Sequence, residues 1–432
     1  MFIGHDLTMS NALLEDLEWR GLIAQSTDRK ELEQVLAKPI SLYLGVDPTA
    51  PSMHLGNLVV FLVLRRFQLA GHRPIPLVGG ATGLVGDPSG KNDERTLNEE
   101  KLVADWVSKM KKQVEKIIDF NDKKTGAVMV NNLDWTKPVS ALDFLRDIGK
   151  HFSVNQMLAK DSVANRLATA GISYTEFSYQ VLQAFDYLEL YRRNDCKLQI
   201  GGSDQWGNIV AGLDLIRKVE GGTAHALTIP LLAKSDGTKF GKTASGAIWL
   251  DPTMTSAYEF FQFWLNTDDA DMPKLLKVFS MKDRKEIERL IETVNTNPGA
   301  REAHRELARE MTSLIHGSDM AKKVEEAAKA LFGQGEISEL DLATLDSALS
   351  QLPKTQVKKG EAFPNWVDLL AATGVVDSKS AARRIVKEGG AYLNNKKVES
   401  EDFTPSKSDL LHGKYLLLRK GKRDLAAVEV VG

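Results

Sequence analysis

The segment DPTAPSMHLGN, residues 47–57, brings together side chains that can donate hydrogen bonds to a phosphate. Its two prolines favour a turn, and the long apolar run that follows predicts a helix beginning at or near His54. A helix start presents unpaired amide groups at the positive end of its dipole, and Gly56 lets a ligand approach the backbone. With Asn57 and the Thr49 hydroxyl, this turn could hold a polyphosphate. The alternative is a capped helix whose histidine satisfies a local carbonyl group.

A second segment, AKSDGTKFGKTAS at residues 233–245, has the composition of a flexible anion-binding loop. Its glycines free the backbone, and Lys239, Lys242 and Thr243 supply two ammonium groups and a hydroxyl. Such a loop can close over an anionic ligand. Taken alone, the segment is more typical of a solvated basic turn.

A polar stripe lies on the helix that we predict for FSYQVLQAFDY. Tyr179, Gln183 and Asp186 stand at i, i+4 and i+7 and share one face, whereas the other faces are apolar. An apolar surround predicts burial, and a buried polar stripe needs a polar partner, which a substrate can be. If Tyr43, from SLYLGVD, converges with Asp186, the pair would bind a phenol, and a phenyl ring would leave both groups unpaired. A solvated stripe is the alternative.

The elements that must position these residues alternate between strands and helices from residue 40 to residue 250. The short apolar runs that we interpret as strands are ISLYLGV, PIPLVGG, GAVMVNN, CKLQIGG and ALTIPLL. Strands that alternate with helices predict an α/β fold with a Rossmann-like parallel sheet. Ligands of such sheets bind beyond the carboxyl ends of the strands, where polar and glycine-rich segments follow here.

The pattern changes along the chain and predicts several domains. We expect a sheet domain over residues 1–255, with an apolar insertion around residues 135–175, and a helical domain over residues 256–332. A polar linker that can hold one short helix follows at residues 333–361. Residues 362–432 are expected to form a small α+β domain.

The composition excludes several classes of protein. The 432 residues carry a net charge of −2, so nucleic-acid or membrane contacts must come from local clusters. Cys196 is the single cysteine, which excludes an intramolecular disulfide and a cysteine-rich zinc site. The N-terminal segment lacks the pattern of a signal peptide, and the apolar run at residues 58–64 is too short to cross a bilayer. We therefore expect a cytoplasmic protein.

The two phosphate-binding candidates, in their order along the chain, resemble the paired signatures of class I aminoacyl-tRNA synthetases. HLGN corresponds to the first signature, with Asn57 where the family usually has a second histidine. KFGKT has the form of the second signature in tyrosyl-tRNA synthetases. The occurrence of both signatures in this order is far more specific than either segment alone. The chain resembles the bacterial type of this family over nearly its whole length.

The resemblance implies roles for three groups of residues. Those expected to act on the reacting phosphates are Thr49, His54, Asn57, Lys91, Arg95, Lys239, Lys242 and Thr243. Those expected to bind tyrosine are Tyr43, Asp87, Tyr179, Gln183, Asp186 and Gln205. Those expected to bind ATP are Gly45, Asp47, His54, Gly56, Gly202, Asp204 and Lys242. No metal-ligand spacing is present among the histidines, so Mg²⁺ is expected to arrive with ATP.

The C-terminal segment has a pattern typical of an RNA-facing domain. From residue 360 to residue 432 it holds twelve Lys or Arg and ten Asp or Glu, so local clusters rather than net charge must attract RNA. Two short predicted helices and a strand, VDLLAATG, SKSAARRIVKEG and AYLNNKKV, resemble an S4-like RNA-binding domain. Arg383, Arg384 and Lys387 on the second helix are then expected to bind tRNA, with an ordinary solvated basic face as the alternative.

The resemblance implies that a homodimer activates L-tyrosine with ATP and transfers it to tRNA(Tyr), with the insertion forming the dimer contact. Two alternatives stay open from the sequence. A tryptophanyl enzyme would share both signatures but would not need Tyr43 to face Asp186. An RNA-binding relative that has lost activation would not need His54, Lys239 and Lys242 intact.

Overall fold

The computed structural model describes residues 8–89, 98–169, 171–243, 246–350, 352–421 and 424–432. The main chain alone is described at residues 8–11, 161, 162, 165, 242 and 243. The strands are β1 Gln25–Ser26, β2 Ser41–Val46, β3 Arg73–Val78, β4 Val130–Asn131, β5 Cys196–Gly202, β6 His225–Ile229, β7 Lys242–Thr243, β8 Gly246–Ala247, β9 Lys354–Lys358, β10 Ala391–Leu393, β11 Lys396–Lys397, β12 Tyr415–Lys420 and β13 Asp424–Val431.

The α-helices occupy most of the remaining described chain. They are α1 Thr8–Trp19, α2 Arg29–Leu36, α3 Leu55–Leu69, α4 Thr82–Val85, α5 Glu100–Ile117, α6 Leu133–Thr136, α7 Ala141–Asp143, α8 Val154–Leu158, α9 Asp161–Ala168, α10 Tyr174–Asn194, α11 Trp206–Glu220, α12 Ala257–Leu265, α13 Met272–Phe279, α14 Arg284–Thr296, α15 Glu302–His316, α16 Ser318–Leu331, α17 Leu342–Ser350, α18 Trp366–Ala372 and α19 Lys379–Lys387.

The larger sheet has the strand order β1-β6-β5-β2-β3-β4. Its strands are parallel, except that β1 runs antiparallel to β6. The strand order reverses at β2, which has β3 on one side and β5 on the other, and this reversal opens a crevice at the carboxyl ends of these strands. The predicted α/β fold and its five predicted strands, β2 to β6, are confirmed.

The apolar runs form this sheet because helices cover it. Leu42, Tyr43 and Leu44 of β2 are each at most 2% exposed, as expected for a parallel strand that is buried on both faces. Helix α3, which follows β2, buries Leu58, Phe61 and most of its other apolar side chains. The rigid strand and the buried helix therefore fix the turn between them, which carries the first signature.

The C-terminal sheet has the strand order β11-β10-β12-β13-β9. Its core holds Trp366 and Leu370 of α18, Ala382 of α19 and Leu416 of β12. Strand β9 pairs in parallel with β13 and falls in the segment that we interpreted as a linker. Its sequence, KTQVK, buries only Val357, so its apolar pattern was too sparse to predict a strand.

The chain divides into two compact units, Met1–Asp251 with Asp268–Thr296, and Pro252–Thr267 with Asn297–Gly432. The first unit holds the larger sheet and also α13 and α14, which we assigned to the helical domain from the sequence. The domain boundaries drawn from the sequence stay a prediction. Across the described ranges, no helix has both the length and the hydropathy that a membrane span requires.

Candidate active site

Polar side chains gather at the edge where the strands of the larger sheet end. Asp47 follows β2, Thr82 begins α4 after β3, Asn132 follows β4 and Gln205 follows β5. Parallel strands end at the same edge, so side chains that are distant in sequence meet there. This edge also receives the buried face of α10.

The Asp47 carboxylate accepts hydrogen bonds from two hydroxyl groups. Tyr179 Oη donates to Oδ2 at 2.7 Å, and Thr82 Oγ1 donates to Oδ1 at 2.6 Å. Burial and the adjacent Asp47 charge raise the pKa of Tyr179 well above its usual value, so its hydroxyl stays protonated. We assigned Tyr179 to tyrosine and Asp47 to ATP from the sequence, and the structure brings the two into direct contact.

The Asp186 carboxylate is buried and held at both oxygens. Trp135 Nε1 donates to Oδ1 at 2.8 Å, and Asn132 Nδ2 donates to Oδ2 at 2.9 Å. Burial raises the pKa of Asp186 to about 7, although these two hydrogen bonds favour the charged form. The geometry therefore fixes the direction of a carboxyl group that titrates near neutral pH.

Asn132 connects the two carboxylates. Its Nδ2 donates to Thr82 Oγ1 at 2.9 Å as well as to Asp186, and its Oδ1 accepts from the amide of Ala81 at 2.7 Å. Because both amide hydrogens and the oxygen are in use, the orientation of this fully buried side chain is determined. A continuous network thus runs from Tyr179 through Asp47, Thr82 and Asn132 to Asp186.

Two of the buried polar atoms that have no partner among the described residues bear on ligand binding at this edge. They are the hydroxyl of Tyr43, a residue only 1% exposed, and Oε1 of Gln183. Tyr43 packs edge-to-face on Tyr187, with 5.1 Å between ring centroids. Burial, and then the charge of Asp186, raises the pKa of Tyr43 well above its usual value. An orphaned hydroxyl near a carboxylate that it does not contact leaves a place for a ligand that bonds to both.

Asp87 forms a second polar cluster at the end of β5. Gln205 Nε2 donates to its Oδ2 at 2.7 Å, and the amide of Ser89 donates to its Oδ1 at 2.9 Å. Asn208 Nδ2 in turn donates to Gln205 Oε1 at 3.2 Å. We assigned Asp87 and Gln205 to the same substrate from the sequence, and their side chains meet.

The first signature forms a helix cap. The amide of Asn57 donates to His54 Nδ1 at 3.3 Å, and the amide of His54 donates to Asn57 Oδ1 at 3.1 Å. The helix is therefore capped, but the imidazole accepts from a backbone amide instead of satisfying a carbonyl group as the alternative had it. A Cβ on Gly56 would lie 2.8 Å from His54 Cε1, so the glycine makes room for the imidazole, which packs on Trp249 with 6.0 Å between ring centroids.

A hairpin from Ala233 to Lys239 leads into the second signature. The amide of Lys234 donates to the carbonyl of Thr238 at 2.8 Å, and a bridge joins Ala233 to Lys239. The main chain of Lys242 and Thr243 forms β7, and their side chains are outside the described atoms. Lys91 and Arg95, the other basic residues expected at the phosphates, lie outside the described residues.

The remaining residues assigned to ATP lie at the ends of β2 and β5. Gly45 belongs to β2, and the amide of Thr49 donates to the carbonyl of Asp47 at 2.9 Å in the turn that follows it. Gly202 ends β5, and a Cβ there would lie 2.5 Å from Oδ1 of Asp204. The glycine therefore leaves space for this carboxylate at the strand end.

The predicted tRNA-binding residues are on the exposed face of α19. Arg383 Nε and Lys387 Nζ lie 3.8 and 3.3 Å from Glu401, and Arg384 Nε lies 3.7 Å from Glu388. Exposed pairs at such distances contribute little to stability, so these cations can exchange a carboxylate for a phosphate.

The sequence analysis missed Asn132, Trp135 and Trp249. Asn132 directly follows a predicted strand, so its position at the carboxyl edge was a usable signal. Trp135 and Trp249 offered no such signal, because their partners Asp186 and His54 are far away in sequence.

Replacement of Asn57 separates its two possible roles. Asn57→His keeps a side-chain acceptor for the His54 amide, and we expect a rate of amino-acid activation within about three-fold of the unaltered chain. Asn57→Ala removes the bond from the His54 amide to Asn57 Oδ1 but keeps the bond from the residue-57 amide to His54 Nδ1, so this loss of half of the cap should cost up to about 1 kcal/mol of unfolding free energy. If Asn57 also donates to a phosphate, the alanine variant should lose roughly ten-fold in rate. Urea unfolding and ATP–pyrophosphate exchange measure the two effects, and an alanine variant with normal exchange would limit Asn57 to capping.

The described residues contain no group of three or more His, Cys, Asp or Glu side chains placed to hold a metal ion. The site consists instead of the buried carboxylates of Asp87 and Asp186, the carboxylate of Asp47 at the strand edge, and helix and loop amides. Such a combination of hydrogen-bond acceptors and donors suits a small zwitterionic or phosphorylated organic ligand.

Two family models match the chain. The model described as tRNA synthetases class I (W and Y) matches residues 36–333, and the model described as Tyrosine--tRNA ligase SYY-like C-terminal domain matches residues 344–428. The chain is 57% identical over 423 residues to the tyrosine--tRNA ligase of Streptomyces avermitilis, covering 97% of this chain and 99% of that one. It is 52% identical over 426 residues to that of Mycobacterium tuberculosis, covering 98% and 100%.

Solved structures show the same relationship. A C-terminally truncated mitochondrial tyrosyl-tRNA synthetase of Aspergillus nidulans superposes with a TM-score of 0.69 at 32% identity, over 76% of this chain and 98% of that one. A tryptophanyl-tRNA synthetase of Encephalitozoon cuniculi, at 15% identity and a TM-score of 0.53, over 74% of this chain and 91% of that one, shares the fold. The family models, and an identity of 52–57% to these ligases over nearly their whole length, show that the chain belongs to the tyrosine--tRNA ligase family of class I aminoacyl-tRNA synthetases.

Proposed function

We propose that the chain activates L-tyrosine with ATP and transfers the tyrosyl group to the 3′ end of tRNA(Tyr), as its family implies. The observation that carries the choice of amino acid is the buried, orphaned Tyr43 hydroxyl near the fixed carboxylate of Asp186. A phenol can donate to Asp186 and accept from Tyr43. An indole or a phenyl ring would leave the Tyr43 hydroxyl buried without a partner.

The first step needs no nucleophile from the protein. A carboxylate oxygen of tyrosine attacks the α-phosphorus of ATP, the bond from that phosphorus to the bridging oxygen breaks, and pyrophosphate leaves with the electron pair. In the second step a ribose hydroxyl of the tRNA attacks the carbonyl carbon and AMP leaves. The protein therefore accelerates the reaction by positioning the substrates and by stabilising charge.

The ammonium end of tyrosine is proposed to lie among Asp87, Tyr179, Gln183 and Gln205. Asp87 is 7% exposed, and Gln183 Oε1 is the second orphaned acceptor of the site. A buried acceptor without a partner and a nearby carboxylate together suit a cation with three donors. The Gln205–Asp87 hydrogen bond holds this carboxylate in place.

The phosphates are proposed to lie between the first turn of α3 and the second signature. His54 and Asn57 stand at the positive end of a 15-residue helix, and Lys239, Lys242 and Thr243 belong to the facing loop. Developing charge on the pyrophosphate would be met by these donors and by Lys91 and Arg95. Gly202 and Asp204 at the end of β5 suit the ribose, and Gly45, Asp47 and Gly56 suit close approach of the nucleotide. Mg²⁺ is proposed to enter bound to ATP.

A charging assay tests the whole reaction. The purified chain should attach radiolabelled tyrosine to tRNA(Tyr) in the presence of ATP and Mg²⁺, and the product should be released by mild base, as an ester is. Label that stays on the tRNA after mild base, or exchange of pyrophosphate without charging, would contradict the second step.

Tyrosine binding should weaken below neutral pH. With the pKa of Asp186 raised to about 7, the ionised fraction is about nine-tenths at pH 8 and about one-tenth at pH 6. The carboxylate form accepts from the phenol, so binding is complete above this pKa and is lost as the pH falls through it. We expect the Kd for tyrosine to rise about ten-fold from pH 8 to pH 6. Equilibrium dialysis across this range measures it, and a constant Kd would contradict the assignment.

The segment around residues 135–175 is proposed to join two copies of the chain. Its apolar side chains are exposed to an extent that is unusual on a monomer. The exposed fractions are 79% for Leu142, 53% for Leu145, 58% for Val154, 50% for Leu167 and 72% for Tyr174. A homodimer would cover them, and sedimentation at micromolar concentration measures the mass.

The C-terminal sheet unit is proposed to bind tRNA through α19. The exposed Arg383, Arg384 and Lys387 are the candidate phosphate contacts. Helices α18 and α19 and strands β10 to β13 lie within residues 362–432, where the S4-like domain was expected, and β9 joins their sheet from outside that range. A cytoplasmic location, expected from the sequence, is proposed together with this function.

A further inference from the structure

The loop that carries the second signature, residues 233–243, contacts the start of α13. Asp271 immediately precedes this helix, is 5% exposed, and its Oδ1 accepts a hydrogen bond from the amide of Ser235 at 2.7 Å. Lys274, one turn further on, donates from Nζ to the carbonyl of Ala233 at 3.0 Å. Two side chains of one helix therefore hold the backbone of one limb of the loop.

The other limb of the loop is held by the far end of the same helix. Phe240 packs on Phe279, the last residue of α13, with 5.5 Å between ring centroids. Both rings are buried, at 9% and 0% exposure. Since Phe240 lies between Lys239 and Lys242 in the sequence, this contact anchors the main chain between the two lysines.

The Asp271 side chain is directed to the loop rather than to its own helix. Aspartate at a helix N-terminus commonly accepts from the amides of the first turn, yet the side chain of Asp271 makes no such cap. Its carboxylate instead accepts a charge-assisted bond from Ser235, 36 residues away. A residue that served only α13 would be expected to cap it.

We propose that Asp271 is a positioning residue: its bond to the Ser235 amide fixes the base of the signature loop, so that Lys239 and Lys242 reach the departing pyrophosphate. This inference rests on the proposed function, because the loop must act on pyrophosphate for its position to matter. Asp271 is buried and bonds to the loop, and it is not among the residues proposed to bind substrate. Its effect should therefore appear in the rate of activation and in the use of ATP, and not in the binding of tyrosine.

The test uses the full chain and tyrosine-dependent ATP–pyrophosphate exchange. Asp271→Ala removes the acceptor, and we expect kcat to fall at least about ten-fold while the Kd for tyrosine stays within about two-fold. Asp271→Asn keeps Oδ1 as an acceptor and should restore kcat to within about three-fold. Asp268→Ala, which removes an exposed carboxylate from the same segment, is the matched control and should behave as the unaltered chain.

A double-mutant cycle separates positioning from a general structural effect. In a Lys242→Ala background the loop has already lost a working lysine, so Asp271→Ala should cost less than about two-fold further. A loss of the same factor in both backgrounds would overturn the proposal, as would normal exchange by Asp271→Ala. If Asp271→Ala does not fold, Ser235→Pro, which removes the donated amide, is measured in its place, and an unchanged kcat overturns the proposal. Failure of the unaltered chain to exchange pyrophosphate would instead contradict the proposed function itself.

Discussion

Asp186→Ala should lower kcat/KM for tyrosine about ten- to a hundred-fold, because a hydrogen bond to a charged group contributes about 1.5–3 kcal/mol. The substitution removes the acceptor for the phenol. It also leaves Trp135 Nε1 and Asn132 Nδ2 without the oxygens that they now contact at 2.8 and 2.9 Å. Each unsatisfied buried donor costs about 1–3 kcal/mol, so a lower melting temperature is expected as well.

Selection between amino acids distinguishes loss of recognition from loss of stability. Pyrophosphate exchange is measured with tyrosine and with phenylalanine below the melting temperature of the variant. We expect the ratio of kcat/KM for tyrosine to that for phenylalanine to fall, because the variant no longer accepts a hydrogen bond from the phenol hydroxyl group. Asp134→Ala removes an exposed carboxylate beside Trp135 and should leave the ratio unchanged. Unaltered kinetics of Asp186→Ala with both amino acids would remove Asp186 from the pocket.

Lys242→Ala should reduce adenylate formation by about 10² to 10³ at saturating tyrosine and ATP, the usual loss when one preorganised donor to developing charge is removed. The main chain of this lysine belongs to the loop held by α13, and other residues form the tyrosine network, so the Kd for tyrosine should change by less than about two-fold. Single-turnover kinetics measure the first quantity, and equilibrium dialysis measures the second.

A lysine outside the loop controls for the loss of charge. Lys285→Ala removes an exposed ammonium group from α14 of the same unit and should leave adenylate formation unchanged. If Lys242→Ala formed adenylate at the normal rate, the loop would have no part in the chemical step. If it lost tyrosine affinity in the same proportion as rate, the loop would act on binding instead.

The sequence predicted the sheet well because its strands are short apolar runs between helices. Those runs place Asp47, Thr82 and Gln205 just after strand ends, and the carboxyl edge of a parallel sheet brings them together. The stripe of Tyr179, Gln183 and Asp186 was predictable for a similar reason, because helical periodicity assigns all three to one face.

The side chains that hold the pocket carboxylate in place were not predictable from the same patterns. Asn132 and Trp135 contact Asp186 across 54 and 51 positions of the chain, and no local periodicity encodes that approach. Strand β9 was missed because pairing with β13 rather than an apolar sequence defines it. The first signature was interpreted either as a phosphate-binding turn or as a capped helix. The His54–Asn57 cap is compatible with both interpretations, because a capped helix start still directs its dipole at an anion.

The central claim, that a fixed carboxylate and an orphaned hydroxyl select a phenol for activation by ATP, is tested most directly with a panel of amino acids. ATP–pyrophosphate exchange by the unaltered chain is measured with tyrosine, phenylalanine and tryptophan under identical conditions. We predict exchange with tyrosine, and at least about a hundred-fold lower kcat/KM with the other two. Exchange that tryptophan or phenylalanine supports as well as tyrosine, or no exchange with any amino acid, would contradict the account.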